Sequence, residues 1–275
     1  MFRIEFLGVG NAFTKPLDGN MNNCDWQSNL LVIAEGGKKL MLDCGSYVPL
    51  AMMQAGLDEA DIDAVYISHV HADHVGGLEW LGFSTYFNPA LKQPTLFCDK
   101  ELAAELWDES LKGGLGSIEG KQVDLTDYFV LHCIVPNGFF VWEGIQFKLV
   151  QVIHAMADRV VKHSYGLLIS EDGKQGPKVF WTSDTQFCPT QIKAFYQQAD
   201  LILHDCETSP FPSGVHAHYG DMVTLNPDYK RKMWLYHYHP GAPQKFDVVG
   251  DGFLGFALKG DVFTIDATIT RESRE

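Results

Sequence analysis

The chain has 275 residues, 46% of them hydrophobic, and a formal net charge of −14 at pH 7. Such a length buries a substantial core. The acidic excess speaks against a protein that grips a long nucleic acid, because phosphate contacts dominate that affinity and call for a basic face.

The opening stretch, Met1-Phe2-Arg3-Ile4-Glu5-Phe6-Leu7-Gly8, alternates apolar and charged residues before a glycine. It reads as a strand over 2–7 and not as the apolar stretch of a signal peptide. No window approaches the ~18 consecutive apolar residues of a membrane span, so a soluble cytoplasmic protein is expected, with no membrane partner. Residues 29–34 and 39–43 read as strands around the Gly36-Gly37 turn, and 48–57 as a helix with apolar positions at Val48, Met52 and Ala55. Residues 63–68 form a strand ending at His69, and a short helix is expected from Val75 to Leu81. A strand over 95–98 leads to Asp99, a cap for a helix over 100–111. The pattern then turns to strands: 128–135, a hairpin of 139–142 and 145–153 around Glu143-Gly144, then 164–170 and 178–183. Pro189 suits the first turn of a helix reaching Gln198. Strands over 200–204 and 233–237 each end in histidine, and 261–265 is read as the closing strand. With no linker, low-complexity tract or repeat, residues 1–275 read as a single domain. Strands interleaved with helices indicate a layered α/β protein, and the central hairpins exclude a purely parallel sheet. The six cysteines are scattered without a CxxC pair, which fits reduced thiols.

The densest chemistry lies in His69-Val70-His71-Ala72-Asp73-His74, four potential metal ligands within six residues. Imidazole is the commonest transition-metal ligand and carboxylate complements it. Without a cation, so many imidazoles beside a carboxylate would be costly. The strands read over 145–153, 178–183 and 233–237 deliver His154, Asp184 and His237. His239 competes with His237 for the last place. His132 and His163 are read as structural, and Cys44 and Cys206 as packed.

His-x-His-x-Asp-His after a strand resembles the signature of the metallo-β-lactamase superfamily, whose fold is a four-layer αββα sandwich. The later landmarks occur in the family's order from residue 4 to about 240. The resemblance implies a two-metal centre: His69, His71 and His154 on one ion, Asp73, His74 and His237 on the other, and Asp184 bridging. Asp43, in Leu42-Asp43-Cys44-Gly45, would orient the ligand loop. Two divalent ions are expected. Zinc suits the histidine-rich set, with manganese and iron also compatible.

Phe6-Leu7-Gly8-Val9-Gly10-Asn11-Ala12-Phe13 and Leu201-Ile202-Leu203-His204-Asp205 resemble the ribonuclease Z-like phosphodiesterase branch. Asp205 stands where that branch has glutamate. Its histidine partner would be His218 or His216, with a slight preference for His218. Asp73 and Asp205 are counted with the catalytic residues. Only 29 residues separate His154 from Asp184, too few for the arm with which ribonuclease Z grips tRNA, so bulky tRNA is not expected. The resemblance implies hydrolysis of a small or flexible phosphodiester, such as a cyclic nucleotide, an oligonucleotide or a head-group diester, by a metal-bridging hydroxide. A lactonase or thioesterase acting on a carbonyl is the alternative, and a non-catalytic di-iron sensor the third. Members of this branch are often dimers, so a homodimer is an expectation too. Specificity is assigned to loops 11–28, 82–94 and 208–230, where Trp26, Phe83, Tyr86, Phe87, Phe211 and Tyr219 could stack on a base.

Overall fold

The computed structural model describes residues 1–273. In chain order the strands are β1 (Phe2–Gly8), β2 (Asn29–Ala34), β3 (Lys39–Leu42), β4 (Ala64–Ile67), β5 (Thr95–Asp99), β6 (Ser117–Ile118), β7 (Lys121–Gln122), β8 (Val130–Ile134), β9 (Phe139–Trp142), β10 (Ile145–Ala157), β11 (Val160–Glu171), β12 (Val179–Trp181), β13 (Leu201–Asp205), β14 (Met233–Tyr236), β15 (Gly255–Phe256), β16 (Val262–Ile265) and β17 (Ile269–Glu272). One sheet runs β17-β16-β1-β2-β3-β4-β5-β8 and the other β15-β14-β13-β12-β11-β10-β9, while β6 and β7 form a small separate hairpin. Both large sheets are mixed. Strands β3-β4-β5-β8 are parallel in the first, and β12-β13-β14-β15 in the second.

The sheets pack face to face through aromatic side chains. Tyr66 on β4 meets Trp181 on β12 edge-on, and Phe6 on β1 meets Tyr236 on β14. Phe140 of β9 stacks between Phe97 of β5 and Phe147 of β10, with ring centroids 4.1 and 4.7 Å apart. The Tyr66 hydroxyl donates to the Tyr165 carbonyl across the interface at 2.7 Å, so its polar end is satisfied. Helices cover the outer faces. Val48–Ala55 begins with Pro49 in its first turn and ends at Gly56, whose φ of 74° provides the left-handed cap. Lys193–Gln198 lays Phe195 and Tyr196 against Phe180 of β12. The result is the αββα sandwich.

Several boundaries differ from the sequence reading. The helix expected over 75–81 is two: Ala72–Val75, inside the ligand motif, and Leu78–Tyr86. Asp99 caps as expected, accepting from the Glu101 N–H at 2.8 Å, but the helical path continues through a π-helical stretch, Leu106–Leu111, to Leu115. Pro189 does not open a helix; turns precede Lys193–Gln198. Strand β10 continues past His154 to Ala157, and β17 follows the strand read as the last. These extensions depend on long-range pairing, which local pattern does not encode.

Candidate metal centre

Nearly every candidate side chain leaves the C-terminal end of a strand, where adjoining parallel strands open a crevice for ligands. Asp43 follows β3, His69 follows β4, Asp184 follows β12, Asp205 ends β13 and His237 follows β14. Three of these turns use left-handed backbone: φ is 62° at Asp43, 53° at Ser183 and 64° at His237. Such conformations are costly for residues other than glycine and persist where the surroundings enforce them. His154 is delivered differently. Strand β10 pairs with β11 in register up to Ile153 and again from Ala155, leaving His154 as the bulged residue, aimed inward.

Three groups of four side chains converge, each with ligand atoms within 4.8 Å of one another, the third being Asp184, Asp205, His216 and His237. The first is His69, His71, His154 and Asp184; the second is Asp73, His74, His237 and Asp184. In the first, His71 Nδ1 lies 3.1 Å from His69 Nε2 and 3.0 Å from His154 Nε2. In the second, His74 Nε2 is 3.1 Å from Asp184 Oδ2 and 3.3 Å from Asp73 Oδ2, and His237 Nε2 is 3.4 Å from Asp73 Oδ2. Asp184 Oδ2 also lies 3.8 Å from His69 Nε2 and 3.9 Å from His154 Nε2, facing both groups.

This donor set fits a pair of cations. A tetrahedral ion with bonds of about 2.0–2.1 Å holds neighbouring ligand atoms roughly 3.3 Å apart, close to the separations within the second group. Three of the four buried ligand imidazoles occupy their other nitrogen with an outside partner: His69 Nδ1 with Ser68 Oγ at 3.0 Å, His74 Nδ1 with Asp43 at 2.7 Å, and His154 Nδ1 with the Val215 carbonyl at 2.9 Å. His237 Nδ1 faces Asp205 at 3.4 Å. That fixes the tautomers and leaves Nε2 as the inward donor atom. Asp43 is itself held by the N–H and hydroxyl of Ser68 at 2.8 and 2.7 Å. Asp184 Oδ1 is buried without a hydrogen-bond partner among the described residues. Gly45 allows the ligand helix to approach, since a Cβ there would stand 1.9 Å from the Asp73 carbonyl oxygen.

The electrostatics divide the groups. Burial pushes His69, His71 and His154 below the usual histidine value, His154 to about 4. Burial also opposes charge on His74 and His237, but facing carboxylates, Asp184 foremost, outweigh it. His74 is raised well above the ordinary value and His237 to about 10. Asp184 is held well below the carboxylate range, burial being outweighed by His237 and His74.

The structure places the two candidate proton donors differently. His216 Nδ1 lies 2.9 Å from Asp205 Oδ2 and 3.8 Å from Asp184 Oδ2. His218, slightly preferred from the sequence, is not brought to the site. Its Nε2 donates to the Ser209 carbonyl at 3.0 Å, and its Nδ1 accepts from the Gly220 N–H, capping the turn Tyr219–Met222. Burial lowers His216, yet Asp205 and Asp184 leave its pKa raised. Glu207 anchors the loop that carries His216, accepting from the Ser213 N–H and hydroxyl, each at 2.9 Å.

A cavity of about 100 Å³ opens beside His216 and His237, bounded by Asn11, Phe13, Glu207 and His239. A second, of about 100 Å³, opens beside His69, His71 and His154 and is edged by His163 and Lys162. His163, read as structural, thus lines a cleft while its Nδ1 donates to the Val152 carbonyl. His132 is exposed on β8. Cys44 and Cys206 are buried, and burial pushes both thiols up. Of the aromatic residues singled out, Trp26 packs edge-on against Tyr47, while Phe83 and Tyr86 pack on Tyr128. None of the six borders either cleft; Phe13 does. The sequence reading missed Phe13, Glu207 and the bulge at His154.

Facing mixed sheets with a histidine–aspartate cluster at their strand ends define a metallo-β-lactamase-fold protein. The metallo-β-lactamase fold protein YhfI of Bacillus subtilis superposes with a TM-score of 0.69 at 17% identity, over 95% of this chain and 98% of its own. The short form of human tRNase Z does so at 0.66 and 19% identity, over 96% and 99%. Within that fold the chain belongs to the Anti-Pycsar protein Apyc1 family, whose model matches residues 2–263. The Anti-Pycsar protein Apyc1 of Paenibacillus harenae is 34% identical over 240 residues, 86% of this chain and 89% of that protein. Residues 155–183, where ribonuclease Z would carry its arm, complete β10 and supply β11 and β12.

Proposed function

We propose that the chain is a metal-dependent phosphodiesterase that opens a nucleoside cyclic monophosphate. His69, His71 and His154 would hold one divalent ion, Asp73, His74 and His237 the other, with Asp184 shared. When bound, the ions neutralise the phosphate oxygens and lower the pKa of water from ~15.7 toward ~7. The observation that carries the reading is His216 beside Asp205, 3.8 Å from the shared carboxylate oxygen. Asp205 accepts from His216 Nδ1, which orients the ring and leaves Nε2 with the transferable proton. As the water oxygen bonds to phosphorus, one ring P–O bond breaks and the departing alkoxide takes that proton, giving a nucleoside monophosphate. An alkoxide is a poor leaving group, so this proton transfer matters for a nucleotide. The acidic chain and the small clefts favour a mononucleotide over tRNA, and zinc suits the donor set.

The test is hydrolysis of a 3′,5′-cyclic nucleotide, bis(p-nitrophenyl) phosphate and an acyl thioester by zinc-reconstituted protein and by His216→Asn. The expected result is two equivalents of metal and diester turnover. His216→Asn should lower kcat on the cyclic nucleotide by roughly 10²–10⁴-fold and much less on the aryl diester, whose nitrophenolate leaves unprotonated. Thioester turnover without diester turnover would transfer the protein to the carbonyl hydrolases.

A further inference from the structure

The cleft at His216 does not end at the metal centre. It shares Phe13 and His239 with an adjoining groove of about 670 Å³. That volume lies in the roughly 300–1,000 Å³ range of small-molecule sites. Pro16, Leu17 and Phe246 give the groove apolar walls, and Lys15 and Lys245 stand on its border. Phe13 is 84% exposed. A phenyl ring in water beside a catalytic cleft has apolar surface to offer a ligand, and a nucleobase can stack on it. His239 contributes a polar group. Its backbone N–H donates to Thr208 Oγ1 at 2.9 Å, which fixes the residue, while its Nδ1 is buried and unpartnered among the described residues. The His239 ring therefore borders both cavities from a fixed position.

We propose that this groove seats the nucleoside of the substrate, with the base stacked on Phe13 and the sugar packed against the His239 ring. The assignment rests on the phosphodiesterase reading and adds a place for the part of the substrate that does not react. Its occupant follows from continuity: a cyclic phosphate at the metal centre projects its sugar and base into the space that begins at His239. The two lysines can donate to the carbonyl and ring-nitrogen acceptors along a base edge. Because stacking tolerates every base, the groove should admit purines and pyrimidines alike.

Two ligands that differ only in the base provide the test: a nucleoside 5′-monophosphate and ribose 5-phosphate. Their affinities for the zinc-loaded protein are measured by calorimetry in wild type, Phe13→Ala, Phe13→Tyr and His239→Ala, alongside cyclic-nucleotide turnover by the wild type. The wild type should prefer the nucleotide. Phe13→Ala should shrink that preference about tenfold, and Phe13→Tyr should retain it. His239→Ala should weaken nucleotide binding several-fold. A wild type that turns over cyclic nucleotide but binds both ligands equally overturns the groove assignment alone. So does a preference untouched by Phe13→Ala. A wild type that turns over no cyclic nucleotide overturns the reading beneath it.

Discussion

The two ligand groups share Asp184 but are built from different materials. The first is three imidazoles and the shared carboxylate, with His71 exposed to solvent. The second is two imidazoles and two carboxylates, all buried. Burial dominates the first, with neighbouring imidazoles adding to it, so its histidines are lowered and ready to donate lone pairs. In the second, the carboxylates hold protons on His74 and His237. A cation entering the first group would thus displace no proton, whereas one entering the second would first have to release protons.

The largest effect should come from the residue common to both. Asp184→Asn keeps the side-chain shape and removes the charge that each group uses. Metal content should fall below one equivalent, and diester turnover should drop by more than the roughly 100-fold that marks the loss of an outer partner. Retention of two ions would show the groups to be independent. Gly45→Ala comes next. Its new Cβ collides with the carbonyl of Asp73, so the ligand helix must move at a cost of about 1–3 kcal/mol. Melting temperature should fall and the second group should empty before the first. Asp43→Asn is gentler and more selective. Asp43 touches only His74 among the proposed ligands, so affinity should fall roughly 10–100-fold in the second group while the first stays filled. Emptying of the first group instead would reverse the comparison.

The path from sequence to site was clearest where chemistry is local. Four potential ligands between His69 and His74, three imidazoles and a carboxylate, announce themselves by their density. The apolar runs before Asp184 and His237 mark strand ends. What stayed hidden depends on contacts distant in sequence. His216 and His218 are equivalent by spacing, and only the pairing of Glu207 with the 216–218 segment turns the first inward and the second toward Ser209. The bulge at His154 is a property of two paired strands, and nothing in Val152-Ile153-His154 declares it. Loop 82–94 was expected at the site, but residues 82–86 lie in the helix Leu78–Tyr86, where Phe83 and Tyr86 pack on Tyr128. Phe13 escaped attention because an exposed phenylalanine acquires meaning only from the cavity beside it.

The smallest effect is the one that isolates the difference between the groups. Raised folded-state pKa values mean that His74 and His237 carry protons at neutral pH, and a cation entering the second group must displace them. Its affinity should therefore climb as pH rises, up to tenfold per unit for each proton released, and level off only above the His237 value of about 10. The first group should behave otherwise. With His154 lowered to about 4, and His69 and His71 also below the ordinary histidine value, no proton blocks it near neutrality. Its affinity should be nearly flat between pH 6 and 9. Cobalt titrations followed by visible absorption at pH 6 and pH 8 can resolve the two. One pH-insensitive and one pH-sensitive site are expected, the second releasing protons measurable by calorimetry in buffers of different ionisation enthalpy. Two sites with the same slope would mean that Asp184 couples the groups so tightly that the protons belong to the pair.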